Sequence, residues 1–485
     1  MNGAKFTSGE GHAKGTSKSK AQQEFEPINH EELLDTLLDG IQPVDFRELT
    51  ETTGNDKLSN KHYLVTCIEQ VLITARNNSW GLCTNNEAIY LYNRAYWKAI
   101  DEPTFQVFLG RAAERMGIDR HNARYYQYRE QLYKQFLSAA NLHRPEPDSD
   151  TVLINLQNGT FEIGADAQRL RSPEPADFLT YQLPFEYDPS ADAPLFHTYL
   201  NHVLPDPILQ KILAEYLAYL FVRPSVLKLE KMLLIYGSGA NGKSVLFDIV
   251  NALLGSQNVC SYSLQSLTDE SGYYRAMLAD KLVNYASEIN GKLESASFKA
   301  LVSGEPIHAR LPYGNPFTLT KYAKLIFNCN ELPKEVEQTH AFFRRFLIIP
   351  FDVTIPEAEQ DKQLSQRIIR SELSGVFNWM LSGLARLLTE GNFTHSDVVE
   401  KQTDDYKRQS DSVLMFVDEE GWVEDLSQFK DLKTVYGEYK GYCEECGYMK
   451  CSLRKFSDRL RRQGFKMERK NYGFVVYMNR KVFVK

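Results

Sequence analysis

At 485 residues, with 43% apolar and 25% charged residues, the chain is long enough for two to four compact units and has the composition of a soluble globular protein. No uninterrupted apolar run approaches a membrane span, so no membrane partner is expected, and seven scattered cysteines, an odd number, suit a reducing cytoplasm better than a disulfide framework. The net charge of −7 would argue against nucleic acid if it were evenly spread, but from Cys451 to Lys485 eleven Lys or Arg face two acids, so the partner question is asked by region.

Residues 1–28 are rich in Gly, Ser and Lys, carry no apolar run and are read as a disordered arm rather than a signal peptide. Residues 29–143 form a mixed α+β accessory unit whose role the sequence does not give. It starts with an amphipathic helix over 30–41 and a long helix over 60–75. Trp80 to Ile100 alternates around Asn85-Asn86 and Asn93-Arg94, as hairpins do. Tyr125, Tyr126, Tyr128 and Tyr133 sit among Arg124, Arg129 and Lys134. That mix suits a single strand, although a helix with half-buried tyrosines and snorkelling bases is the commoner arrangement.

Pro145 and Pro147 mark a linker over 143–150. It holds Asp148-Ser149-Asp150, but a primase of the archaeo-eukaryotic type needs such carboxylates on a rigid sheet to hold two metals, so priming by this chain is not expected. Within 150–224, Val152–Asn155 and Gly159–Ile163 read as strands, and Phe196 to Phe221 carries helical apolar spacing. The region is read as a helical collar used in self-association.

The chemistry begins at Leu233-Leu234-Ile235-Tyr236, a short buried strand, followed by Gly237-Ser238-Gly239-Ala240-Asn241-Gly242-Lys243-Ser244 and, from Val245, a helix. This is the grammar of a phosphate-binding loop. The glycines let the backbone approach a polyphosphate with its amides turned inward, Lys243 reaches the outer phosphates of ATP, and Ser244 offers its hydroxyl to Mg2+. A Gly-rich turn capping a core helix is the plainer alternative. Downstream, a strand over 282–287 ends in Glu288, suited to holding Mg2+ or activating water. A third ends in Asn330, which can orient the same water, and Arg344-Arg345 precede a fourth, where an arginine can stabilise charge on a neighbour's γ-phosphate. Taken singly, a cap or a solvated edge explains each of these as well; their order over about a hundred residues does not arise readily from surface residues.

With Phe298-Lys299-Ala300-Leu301-Val302-Ser303-Gly304-Glu305, Phe327-Asn328-Cys329-Asn330-Glu331-Leu332-Pro333 and Phe343-Arg344-Arg345, the chain resembles the superfamily 3 helicases, and more narrowly their poxvirus and phage or plasmid primase-helicase branch, over about 150–485. The resemblance implies an α/β fold with an AAA+ type P-loop ATPase core over 225–395, a homo-oligomeric ring, usually a hexamer, and 3′ to 5′ movement on single-stranded DNA. It implies Walker A at Gly237, Gly242, Lys243 and Ser244, Walker B at Glu288, a sensor at Asn330, and a finger at Arg344 or Arg345, with Arg345 favoured. Many members carry two adjacent acids in Walker B, whereas Ser287 precedes Glu288 here.

The family also places a DNA-holding hairpin between Glu288 and Asn330. Pro306 to Thr320 fits, with Arg310 for phosphate, Tyr313 for stacking and Lys299 behind them; an ordinary surface hairpin is the alternative. A lid helix is expected over 372–388 and a polar hinge over 401–412. Residues 405–485 suggest a winged-helix-like DNA-binding domain, with Arg454, Lys455, Arg459, Arg461 and Arg462 on its recognition helix. Cys443, Cys446 and Cys451 lack a fourth zinc ligand and are read as helix cysteines. The expected function is an ATP-dependent replicative helicase of a phage, plasmid or other mobile element, acting on single-stranded and forked DNA, with a separate primase or polymerase as a plausible partner. An origin-binding initiator or loader ATPase is the alternative, and a defensive NTPase is a third.

Overall fold

The computed structural model describes residues 27–50, 56–85, 88–140, 151–164, 168–287, 289, 294–312, 314–333 and 336–481. They fall into two compact units, one from the described residues up to 140 with Pro173–Tyr181 and one from the remainder. The arm over 1–26, the linker with Asp148 and Asp150, Glu288 and Tyr313 lie outside the described residues.

In the first unit, Asn29 caps the helix His30–Gly40, which buries Leu33, Leu37 and Leu38. The helix Asn60–Asn77 follows, then an antiparallel meander of β1 (Gly81–Asn85), β2 (Ala88–Tyr92) and β3 (Trp97–Ile100). Asn85 pairs with Ala88 and Tyr92 with Trp97, so both turns fall where the sequence marks them, and Arg94 takes φ +77 in the second. Helices Glu102–Met116 and Tyr126–Ala139 complete the core through Phe105, Phe108 and Phe136. Tyr133 is buried in it, while Tyr125 and Tyr126 are exposed. The segment Pro173–Tyr181 joins this unit because the Trp97 indole donates to the Pro175 carbonyl at 2.9 Å and stacks on Phe178.

The second unit opens with β4 (Val152–Leu156), β5 (Gly159–Ile163) and β6 (Gln168–Arg171), an antiparallel sheet. The helical stretch expected over 196–221 is two helices, Pro194–Val203 and Pro207–Tyr219. Pro207 starts the second and Asp206 caps it through the Ile208 amide, which ends the first.

Next come β7 (Met232–Tyr236), the helix Lys243–Leu254, β8 (Val259–Cys260), β9 (Val283–Ala286), the helix Ser295–Ser303, the hairpin β10 (Ile307–Arg310) and β11 (Pro316–Leu319), then β12 (Lys324–Cys329) and β13 (Phe346–Pro350). Five of these strands form one parallel sheet in the order β13-β7-β12-β9-β8. Its central strands β7, β12 and β9 are buried along nearly their whole length, as is the edge strand β13, as a parallel sheet covered on both faces requires.

The expected lid helix is Leu373–Glu390, lying along Pro207–Tyr219. A Cβ on Gly383 would come within 2.7 Å of the Ala214 carbonyl carbon, so the backbones touch. Glu215, only 1% exposed there, accepts from Arg386 at 3.1 Å and from the Thr394 hydroxyl at 2.6 Å. The polar hinge expected over 401–412 is instead mostly helix, Asp397–Gln409. Ser396 caps it, and Tyr406 buries its ring against Phe343 and Phe346 at 5.5 and 5.4 Å. Its polar residues are a solvated face, and Val399 and Tyr406, seven apart, are the buried stripe.

Three further helices, Ser412–Glu419, Leu432–Cys446 and Leu453–Arg462, pack around Phe416, Tyr439 and Phe456. They are laced by β14 (Trp422–Glu424), β15 (Lys430–Asp431), β16 (Met467–Lys470), β17 (Gly473–Val476) and β18 (Met478–Arg480), paired as β14-β18 and β15-β17-β16. Among the described residues the one group placed to share a metal is His395, Asp397 and Glu400, all exposed; the three late cysteines form none. No described helix is long and apolar enough to cross a membrane.

Candidate nucleotide site

β7 delivers the chain to the loop at the C-terminal end of the parallel sheet, where open α/β sheets place their ligands. Gly242 (φ +83) and Gly239 (φ +114) take the left-handed backbone that side chains disfavour. At Gly242 a Cβ would also come within 2.6 Å of Val203 Cγ1. Gly237 is needed for a different reason: a Cβ there would lie 2.4 Å from the Phe351 carbonyl oxygen. The loop is held from behind. The Asn241 side-chain amide donates to the Phe351 carbonyl at 2.8 Å, the Tyr199 hydroxyl to the Gly242 carbonyl at 2.9 Å, and the Ile355 amide to the Ala240 carbonyl at 2.7 Å. With the Ala240 and Gly242 carbonyls taken, the planar trans peptides turn the following amides of Asn241 and Lys243 the opposite way, and no side chain caps the helix that starts at Lys243.

Lys243 is 8% exposed and donates to the Gly237 carbonyl at 2.5 Å and to the Asn330 side-chain oxygen at 3.2 Å. Burial holds its ammonium below the ordinary lysine value. A buried cation beside uncapped amides fits a polyphosphate, and the exposed Ser244 hydroxyl at the same helix start fits its Mg2+. Ser238, Ala240 and Val245 complete the loop, and Asn330 is exposed just beyond β12, the neighbour of β7. Glu288 follows the described end of β9 in sequence. Lys243 and Asn330, 87 residues apart, are thus brought together.

The two arginines are not part of this cluster. β7 and β13 run parallel and flush, Met232 opposite Phe346 and Tyr236 opposite Pro350, so Arg344 and Arg345 sit at the sheet end opposite the loop. Five strand residues put roughly 16 Å between them and the loop, at ~3.3 Å per residue. The pair is also unequal. Arg345 is 6% exposed, donates to the Ser303 hydroxyl at 2.8 and 3.2 Å and also to the Ala341 carbonyl, and faces Glu230 at 3.9 Å. Burial, then repulsion from Arg344, lowers its pKa. Arg344 has a side chain 45% exposed and pairs with Glu230 at 2.5 Å.

The hairpin expected over 306–320 is present as β10 and β11. Arg310 is exposed, with Nε donating to the Gly314 carbonyl at 2.9 Å. Lys299, expected to support DNA contact, instead pairs with Glu337 at 3.0 Å. Glu337 also accepts from Ser295 and Thr339, and these bonds bring its pKa down to about 2. On the helix Leu453–Arg462, Arg454, Lys455 and Arg462 are exposed, and Arg461 pairs with Asp458 on the same helix at 3.3 Å. Arg459 differs: it is paired with Asp411 at 3.1 Å, both side chains under a fifth exposed, which withdraws it from the outer face. Sequence reasoning did not find Tyr199, Glu230 or Glu337. A tyrosine in an apolar helix and acids in loops carry no local signal of their partners.

Comparison with known proteins matches the chain in three parts, the first of which spans portions of both units. A family described as "D5 N terminal like" matches residues 62–205, one described as "Poxvirus D5 protein-like" matches 408–482, and a family of unknown function, DUF5906, matches 235–345. The matches support a D5-like primase-helicase family. Among relatives, the protein named "Putative helicase L207/L206" of Acanthamoeba polyphaga mimivirus is 24% identical over 221 residues, covering 42% of this chain and 22% of that one. "Putative helicase 121R" of Invertebrate iridescent virus 3 is 23% identical over 269 residues, covering 48% and 28%. The chain therefore spans about a quarter of the length of these curated relatives. An apo structure of the NrS-1 C terminal region aligns with a TM-score of 0.46 at 12% identity, over 86% of this chain and 99% of that one. Both relatives are named as putative helicases, and two of the three family matches are of the D5 type.

Proposed function

We propose that this chain is the ATP-driven motor of a superfamily 3 type replicative DNA helicase. The observation that carries the reading is the pairing of a buried Lys243 with Asn330 at the mouth of an uncapped, glycine-bent helix start. Bound ATP would supply the transferable γ-phosphate, and Mg2+ would offset its charge. The chain's part is to neutralise it with Lys243, ligate the metal with Ser244, activate water with Glu288 and orient that water with Asn330. Arg344, exposed and about a strand's length from its own loop, stabilises charge in the site of the next subunit of a ring, taken as a hexamer. Arg345 anchors it. The β10–β11 hairpin with Arg310 and Tyr313 grips single-stranded DNA, translocating 3′ to 5′. Residues 412–480, a helix, two short strands, two helices and three further strands, act as a winged-helix-like duplex reader through Arg454, Lys455, Arg461 and Arg462.

Strand displacement on forked DNA with tails of either polarity tests the reading. Wild type should unwind substrates with a 3′ tail using ATP, and K243A should neither hydrolyse ATP nor unwind. An ATPase that binds duplex but unwinds neither fork refutes it in favour of an initiator or loader, and K243A turning over at the wild-type rate refutes the site.

A further inference from the structure

Two adjacent strands connect the phosphate loop to the arginine pair. β7 is entered from Glu230 and Lys231 and ends at the loop. β13 is entered from Arg344 and Arg345 and ends at Phe351, whose carbonyl holds the loop's Asn241. At the far end, cations converge on the Glu230 carboxylate: Arg344 at 2.5 Å, Lys228 at 3.4 Å and Arg345 at 3.9 Å. Glu230 takes φ +53, unusual for a non-glycine residue, and its side chain is 18% exposed. The Arg344 main chain is fixed too, its carbonyl accepting from Lys231 Nζ at 2.6 Å. Only the Arg344 side chain is therefore left to move. Among the described residues its one ion-pair partner is Glu230.

We propose that Glu230 is a positioning residue for Arg344: it holds the guanidinium within its own subunit and yields it to the γ-phosphate of the neighbour. This rests on the reading of Arg344 as an intersubunit arginine. The bond to Glu230, made through one Arg344 nitrogen, holds the guanidinium within its own subunit, and swinging it out to a neighbour's phosphate breaks that bond. ATP in the neighbouring site takes the fork because its γ-phosphate binds only the released arrangement. ADP lacks that phosphate, and Glu230 recaptures the arginine. The pair thus makes engagement between subunits depend on the nucleotide, and it keeps the arginine of a lone subunit tethered to Glu230.

The test is E230Q, which keeps shape and an acceptor oxygen but removes the charge. Its ATPase activity should reach half-maximum at a protein concentration about three- to fivefold lower than wild type, the weight of one partly screened ion pair. Assembly with ADP should rise to approach that with ATP. In an R344A background, E230Q should change neither quantity. E230D, whose carboxylate is withdrawn by one methylene, should move both in the same direction by less, and it serves if E230Q folds poorly. Wild-type concentration dependence in both variants, or an equal shift with and without Arg344, overturns the proposal. Failure of the underlying reading shows separately: R344A would then turn over like wild type, or a mixture of K243A and R344A would recover no activity.

Discussion

Replacing Arg344 and Arg345 one at a time should separate turnover from stability. Arg345 has a side chain 8% exposed and donates to Ser303, itself 2% exposed, and to the Ala341 carbonyl. A charge-assisted bond contributes ~1.5–3 kcal/mol, and stranding a buried acceptor costs ~1–3 kcal/mol. R345A should therefore destabilise by about 3 kcal/mol, most of it in the second unit. Arg344, 45% exposed, loses one screened pair with Glu230, worth ~0–1 kcal/mol. R344A should keep the wild-type urea midpoint while ATP turnover falls by two or more orders of magnitude, the scale of an arginine finger at ~10³–10⁵. Urea unfolding followed by tryptophan fluorescence, beside steady-state ATPase, reads both quantities. Mixing R344A with K243A should recover turnover, each supplying what the other lacks. Wild-type turnover by R344A, or a wild-type urea midpoint for R345A, would refute the division of labour.

Glu337 gives a pH signature. Its folded pKa, about 2, lies below the ordinary glutamate value near 4.5, so its contribution to stability is fully present above about pH 4.5 and is lost as pH falls through about 2. E337Q should melt below wild type at neutral pH, and the gap should close on acidification across that window; a gap independent of pH refutes the assignment. On the helix Leu453–Arg462, R454A, K455A and R462A should each weaken duplex binding and reduce its log–log salt slope by ~0.9 per lost phosphate contact. R459A should instead lower the melting temperature by breaking the pair with Asp411, and a salt slope changed by R459A alone would reverse the roles.

The loop's glycines, its strand and its helix were legible because they are demanded locally: glycine by φ or by close approach, the apolar run by two covered sheet faces. Asn330 was legible from its place at the end of an apolar run. The Asp397–Gln409 helix was misread because its polarity is a surface property, and two buried residues in thirteen give little periodicity. The ranking of Arg344 and Arg345 was out of reach for another reason. Neighbours in sequence point different ways, and what surrounds each is set by Ser303 and Glu230, 42 and 114 residues away. The same holds for Arg459, whose helix face reads as basic until Asp411 is brought against it.

The parallel sheet has a consequence for symmetry. Its strands all point one way, so one rim carries the phosphate loop and the other the arginines, and the two rims are chemically unlike. A twofold arrangement can still join them, because it pairs residue i with j and j with i and so can set each loop against the other copy's arginines; a head-to-tail arrangement instead joins each loop to one neighbour's arginines. On the proposed reading a second copy completes the site either way, but the twofold arrangement stops at two subunits, whereas the head-to-tail one closes into a cycle or grows into an open, directed chain. In such a chain of subunits every disabled arginine silences one specific neighbour, so activity in mixed assemblies should fall with the order of subunits as well as with their number.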